Sequence, residues 1–376
     1  MSMNRYTWFY ASILALFTAC QDATDDFSVN MITFGNPTVG VLQDAATRSE
    51  APATIIPMTG NLGSQQFCLE ETVVPMGPSM LGAEATTRAG LVETISDFHK
   101  TYGVYAYKDD GSLFFNNLEV SRRVDNEKNT TTNPYPDYME YWFYRDMKHW
   151  PATGTLDFYA YAPYPTQTNI LNFDSDAKTI TLVTPSRVTN QRDFMIATPV
   201  SRTIGAAGYT NAIAFTFNHV CAALKFRVKN GAADKITTPF RATKVTVSDV
   251  YGTAVYDLTT CAIKAGTTPF GLANFELVSD DPTTDYFEWD PTQPSKNVIT
   301  KDDHQDIFIM IPQTTPATAE VTIELYIDVD GDGLDDDATK PGSQRTFKAS
   351  LAGKTWLAGN IYYYTLDTID GNKNIP

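Results

Sequence analysis

The chain has 376 residues, enough for two domains of ordinary size, and 43% of them are apolar or aromatic, which supplies real cores and excludes global disorder. With 44 acidic against 28 basic side chains the formal charge is −16, a balance that repels phosphate backbones and anionic lipid and excludes nucleic acid as a partner. Twenty tyrosines, 21 phenylalanines and many Thr and Val favour strands over helices.

Arg5 is the only charged residue before Asp22, and the run Trp8–Ala19, WFYASILALFTA, is apolar or small. It is too short to cross a bilayer, which takes roughly 20 apolar residues. A basic start, an apolar middle and a small-residue end describe a secretory signal over residues 1–19. Thr18 and Ala19 run straight into Cys20, which resembles the bacterial lipobox, where the cysteine thiol takes lipid and becomes the mature N-terminus. Phe17 stands where that motif usually has Leu, and a plain signal peptide followed by a chance cysteine is the alternative. Several acyl chains hold a protein firmly where one does not. Lipidation at Cys20 therefore implies an outer-membrane precursor, and Asp22, Asp25 and Asp26 resemble the export signal of surface lipoproteins in Bacteroidetes-type bacteria. Removing residues 1–19 takes away Arg5 and no acid, so the charge moves from −16 to −17.

A strand-like piece, SVNMITFG at Ser28–Gly35, comes next. Small and polar stretches follow it, with Arg48 in DAATRSEAPA and Arg88 in EATTRAG. Such stretches are typical sites of proteolytic nicking, though both arginines also suit ordinary solvated loops. Long helical periodicity is missing, and alternation of period two is common. AIAFTF puts Ile213, Phe215 and Phe217 on one face; LKFRVK does so with Leu224, Phe226 and Val228, TKVTVS with Val245 and Val247, and VTIELYID with Ile323, Leu325 and Ile327. DIFIMIPQ is apolar on both faces, as a central sandwich strand would be, and Pro312 ends it. Asp110-Gly111, Tyr251-Gly252 and Asp330-Gly331 resemble hairpin connections. Many short strands with regular turn signals predict an all-β protein built of sandwiches. The small, polar stretch SRTIGAAGYTN predicts a boundary near residue 200, with one sandwich domain over 20–200 and a second over 201–376.

The chemistry of common enzymes is hard to find. His99, His149, His219 and His304 are far apart and none sits in HExxH; His219 ends an alternating strand and reads as structural. Gly353-Lys354-Thr355 looks like a P-loop tail, but Lys348 stands where the first glycine must be. Ser175–Lys178 fits SxxK without that motif's partners, and a general acid pair has no readable sequence spacing. No enzymatic activity and no cofactor are expected. Beyond Cys20 the chain has Cys68, Cys221 and Cys261, an odd number at long spacings, so no disulfide framework is written and any single pairing stays open. One acidic loop, DVDGDGLDDD, places Asp328, Asp330 and Asp332 at positions 1, 3 and 5 of a calcium loop, with Gly333 at 6. Position 12 is Thr339 in place of the bidentate Glu, and the same residues also suit a solvated hairpin tip.

Five phrases fall in a fixed order: GVYAY (Gly103–Tyr107), HWPATGTLDFYAYAP (His149–Pro163), FTFNHVCAALKFRV (Phe215–Val228), IMIPQ (Ile309–Gln313) and TWLAGNIYYYTL (Thr355–Leu366). Their order and spacing after a lipobox resemble the fimbrillin family, the pilus-subunit lipoproteins of Bacteroidales-type bacteria. The resemblance covers nearly the whole mature chain. It implies two consecutive transthyretin-like β-sandwich domains with Greek-key antiparallel sheets. It implies export as a lipoprotein, and release from the lipid by an arginine-specific protease, here after Arg48 or Arg88. It further implies assembly with other fimbrial subunits by strand exchange, as stalk, tip or anchor of an adhesive fimbrium, with NIYYYTLDTI (Asn360–Ile369) as a candidate donor unless it completes its own domain. A different reading is a surface lipoprotein that binds glycans through exposed rings of YPDYMEYWFYRDMKHW (Tyr135–Trp150).

Overall fold

The computed structural model describes residues 31–40, 53–62, 65–76, 99–125, 139–164, 170–204, 212–228, 240–278, 287–289, 307–327, 329–330 and 339–368. These are all-β apart from one 3-10 turn at Val188–Asn190. The chain divides into two compact units, each drawn from three stretches: Met1–Pro37, Lys100–Ala160 and Pro199–Phe215 form unit 1, and Thr38–His99, Tyr161–Thr198 and Thr216–Pro376 form unit 2.

Unit 1 is built on the hairpin of Thr101–Lys108 and Leu113–Asp125. Its turn is the expected Asp110-Gly111: Lys108 N–H donates to the Ser112 carbonyl at 2.9 Å, and Gly111 takes a φ of 79°. The strand order runs Met139–Phe143, Leu113–Asp125, Thr101–Lys108, Gly154–Ala162, and Val200–Ile204 adds to the last of these. Thr101–Lys108 is buried on both faces, because Tyr102 and Val104 face one side while Tyr105 and Tyr107 face the other.

Unit 2 carries a ten-strand path with the order Phe308–Met310, Ala222–Val228, Asn360–Thr368, Gln65–Pro75, Thr54–Leu62, Gln344–Ser350, Glu320–Ile327, Phe240–Asp257, Thr179–Val183, Ile170–Asp174. The path folds over one core. Phe226, Leu69 and Tyr364 from its first half and Val245, Ile323 and Phe347 from its second belong to the same apolar cluster, and the rings of Phe67 and Phe347 meet edge-on at 5.1 Å. The corner lies in Thr54–Leu62, where the register with Gln65–Pro75 shifts between Pro57 and Asn61. Gly60 makes that bend with a φ of 107°, and a Cβ there would meet the Thr346 carbonyl at 2.8 Å. Unit 2 also pairs Thr38–Gly40 parallel to Thr216–His219, which is antiparallel to Met195–Ala197.

The period-two stretches form the expected strands. Glu320–Ile327 alternates buried and half-buried residues along its length, and Ile213, Phe215 and Phe217 are buried between exposed Ala214 and Thr216. Three local readings change. Tyr251-Gly252 is not a hairpin: it lies inside the continuous strand Phe240–Asp257. Gly252 serves close approach instead, since a Cβ there would press to 3.1 Å on the Phe275 ring and 3.2 Å on Ala273. Phe308–Met310 is an end strand of the path rather than a central one; its apolar outer edge is covered because Ile309 N–H donates to the Gln191 side-chain oxygen at 2.6 Å. The cut at residue 200 also reads differently in the pairing. Thr54–Leu62 and Gln65–Pro75, placed with residues 20–200 by the sequence pattern, pair with Gln344–Ser350 and Asn360–Thr368 in unit 2. Their partners are nearly 300 residues away in the chain, so local alternation carries no trace of that register.

Candidate functional site

In unit 1 the segment Met31–Gly35 lies between two parts of the fold. It bridges antiparallel to His149 through Met31 and to Trp142 through Phe34, and parallel to Ile213 through Phe34. Side chains alternate as a strand requires: Ile32 and Phe34 are buried, and Thr33 is exposed. Burying the two apolar side chains contributes about 1.5–3 kcal/mol each. On one side Ile32 N–H donates to the Lys148 carbonyl at 2.9 Å. On the other, Ile213 N–H donates to the Thr33 carbonyl at 2.8 Å, and Gly35 N–H donates to the Ile213 carbonyl at 2.8 Å.

Phe34 fills a box of four rings. Its centroid is 6.0 Å from Phe215 in a stacked pair, 5.5 Å from Tyr144 and 6.2 Å from Tyr102 in edge contacts, and 6.4 Å from Phe115. Such pairs add about 0.5–1.5 kcal/mol each beyond area burial. Tyr144 belongs to a bend, Tyr144–Lys148, that turns through Asp146 at a φ of 57°; a short polar side chain tolerates that left-handed backbone. The bend brings the Tyr144 hydroxyl to 2.9 Å from the Ile32 carbonyl, to which it donates, and Lys148 N–H donates to the same hydroxyl at 3.1 Å. Burial raises the Tyr144 phenol above its ordinary range, against the Lys148 amide that favours the phenolate, so the hydroxyl keeps its proton at neutral pH. The Lys148 ammonium donates to the Phe114 carbonyl at 2.7 Å and lies 5.0 Å and 5.2 Å from the Phe114 and Phe115 ring centres.

A second polar cluster lies in unit 2. The His219 imidazole donates from Nδ1 to the Asp193 carboxylate at 2.8 Å, and His99 donates from Nε2 to the Asp193 backbone carbonyl at 2.7 Å. Asp193 and His219 are buried, which fits the structural reading of His219. Burial pushes the nearby Cys221 thiol up to about 12, so it remains a thiol at neutral pH rather than a nucleophilic thiolate. Cys261 is pushed up to about 11 by partial burial, and neither Cys221 nor Cys261 forms a disulfide.

Of the residues singled out in the sequence, Cys20, Arg48, Arg88, Asp328 and Asp332 lie outside the described residues. Asp330 is described and forms an ion pair with Lys340 at 2.5 Å. Among the described residues no group of three or more His, Cys, Asp and Glu could hold a metal ion. In the aromatic segment Tyr135–Trp150, the described rings of Trp142, Tyr144 and Trp150 are buried and that of Phe143 is half-buried, whereas a sugar platform needs its rings open to solvent. Asn360–Thr368 pairs antiparallel with Gln65–Pro75 and parallel with Ala222–Val228, so here it completes unit 2. The box around Phe34 and the hydroxyl of Tyr144 went unread in the sequence. The ring-rich run from Tyr135 to Trp150 was the signal for them, and burial gives it its meaning.

A family model described as fimbrillin-like matches residues 87–375. A comparison with curated proteins returned no match. Among solved structures, a fimbrial protein from Bacteroides vulgatus is 15% identical, with 72% of this chain and 91% of that one covered at a TM-score of 0.43. A fimbrial assembly protein from Parabacteroides distasonis is 12% identical, with 80% and 91% covered at a TM-score of 0.36.

Proposed function

The chain belongs to the fimbrillin-like family, and we propose that it is a structural subunit of cell-surface fimbriae whose unit 1 groove exchanges one strand for another during assembly. In this reading the precursor is exported as a lipoprotein through Cys20 and held at the outer membrane. An arginine-specific protease then cuts after Arg48, the segment holding Met31–Gly35 leaves with the lipid, and a strand of a neighbouring subunit takes its place.

The carrying observation is the way Met31–Gly35 is held. It is a short segment attached by isolated bridges, with two buried side chains in ready-made pockets. A groove emptied of such a segment leaves unpaired backbone groups and open apolar pockets, the template that strand addition uses. Arg48 suits this better than Arg88. Between the two lie Thr54–Leu62 and Gln65–Pro75, whose Ile56, Phe67 and Leu69 are core residues of unit 2. Release up to Arg88 would take those strands away as well.

Membership of the family supports a structural role in adhesion over an enzymatic one. The test is to treat the purified precursor with an arginine-specific protease, sequence the new N-terminus and image the product by electron microscopy. A start at Ser49 with fibres supports the reading. A trimmed product that stays monomeric at high concentration counts against a stalk subunit, and resistance at Arg48 removes the processing step.

A further inference from the structure

In a regular antiparallel ladder, two directly opposed residues exchange both N–H to carbonyl bonds. Ile32 and Lys148 exchange only one. Ile32 N–H reaches the Lys148 carbonyl directly, but the return bond is split: Lys148 N–H donates to the Tyr144 hydroxyl, and that hydroxyl donates to the Ile32 carbonyl. A side chain is thus spliced into the ladder on one edge of the segment. On the other edge the two bonds with Ile213 are direct.

We propose that Tyr144 sets how firmly the unit 1 groove grips its strand, and that the groove selects an extended segment of a second subunit with an aliphatic side chain at one position and an aromatic ring two residues on. This rests on the reading that the groove exchanges strands. The selectivity follows from the pockets. The position of Ile32 is closed on all sides, the next faces solvent, and the third enters the box of Phe215, Tyr144, Tyr102 and Phe115. A slip of one residue would put a polar residue such as Thr33 among those rings. A slip of two would keep the backbone bonds and misplace the aromatic ring, so the box fixes the register.

The grip follows from the relay. Any occupant presents a carbonyl where that of Ile32 lies, and Tyr144 is its donor. Lys148 holds the other end, anchored through its ammonium to the Phe114 carbonyl. Without the hydroxyl, two groups that now face each other through it lose a partner, the Ile32 carbonyl in a buried place and the Lys148 amide in a half-buried one. Tyr144→Phe keeps the ring that packs on Phe34 and Phe115, with centroids now at 5.5 Å and 5.6 Å, and removes only the relay.

The experiment uses the full mature chain with a recognition sequence for a specific protease installed within residues 41–52, so it does not depend on which arginine is cut naturally. After nicking, excess fluorescent synthetic peptide of residues Ser28–Gly40 is added, and its entry and the release of the resident fragment are followed. Release from Tyr144→Phe should be about tenfold faster than from the wild-type groove, the size of one lost buried hydrogen bond. A second peptide carries an ester in place of the amide between Ile32 and Thr33, which weakens the Ile32 carbonyl as an acceptor. The ester should lower affinity several-fold for the wild-type groove and leave it unchanged for Tyr144→Phe, a coupling that a merely structural tyrosine would not show. Equal release from both proteins, or an ester effect of the same size in both, overturns the role of Tyr144. A Phe34→Ala peptide that binds as well as the parent overturns the selectivity. A resident fragment that departs at once on nicking, or one that excess peptide never displaces from either protein, overturns the exchange reading itself and the proposal with it.

Discussion

Phe34 stacks on Phe215 with centroids 6.0 Å apart and planes 21° from parallel. One ring comes from the N-terminal segment and the other from the far end of unit 1, so the pair measures how much that segment adds to the unit. Phe34→Ala removes a buried ring from its box of rings. The unprocessed chain should lose roughly 3–5 kcal/mol in urea unfolding of unit 1, the usual cost of a large-to-small change in a core. A loss below about 1 kcal/mol would mean that the box collapses freely around the gap.

Trp356 and Tyr364 supply an independent check on unit 2. The buried indole N–H donates to the buried Tyr364 hydroxyl at 2.9 Å. Tyr364→Phe keeps the ring stacked on Phe226 and strands the indole, at a cost of about 1–3 kcal/mol. Circular dichroism melts of unit 2 test this, and an unchanged midpoint would show that the indole finds another partner.

The fold was legible where one strand carries its own pattern. The buried alternation of Val321, Ile323, Leu325 and Ile327 is written in VTIELYI because each strand face meets one environment. Gly252 misled because a glycine that admits a neighbouring strand has the same letter as one that turns the chain. The pairing of Gln65–Pro75 with Asn360–Thr368 was invisible because register depends on a partner nearly 300 residues away. At the candidate site, the described part of the strand-like piece, Met31–Gly35, alternates and bridges as its pattern implies, but its grip was not legible. That grip depends on a bend at Asp146 aiming one hydroxyl into a ladder, and neither the bend nor the aim has a sequence period.

Stability should depend on pH through His99. Desolvation lowers its pKa in the folded protein, with the Asp193 charge and carbonyl opposing and Arg192 and His219 assisting. The unfolded chain therefore takes up a proton first as the pH falls through about 6.5. The contribution is complete above that value and shrinks as the pH drops toward the lowered folded pKa. Chemical unfolding at pH 7.5 and 5.5 should show a steeper loss for wild type than for His99→Phe. Equal losses would assign the pH dependence to other groups.

The acidic loop gives a further test. Asp330 is engaged by Lys340 at 2.5 Å, so calcium would have to displace that ammonium. If Asp328, Asp330 and Asp332 hold calcium, Lys340→Ala should enlarge the rise in melting temperature at millimolar calcium, through tighter binding to the folded state. No rise in either protein removes the calcium reading.

The strand-exchange account is tested most directly by locking the segment in place. A Cβ on Gly35 would lie 3.7 Å from the Ala214 Cβ, within the separation that a disulfide spans, and both positions lie outside the buried core. Gly35→Cys with Ala214→Cys should therefore oxidise to a covalent lock. The measurement is polymer formation on a sizing column after cleavage at Arg48, with and without reductant. The account predicts monomers while the lock is closed and polymers once it is reduced. Polymers that form equally well from fully oxidised protein would contradict it.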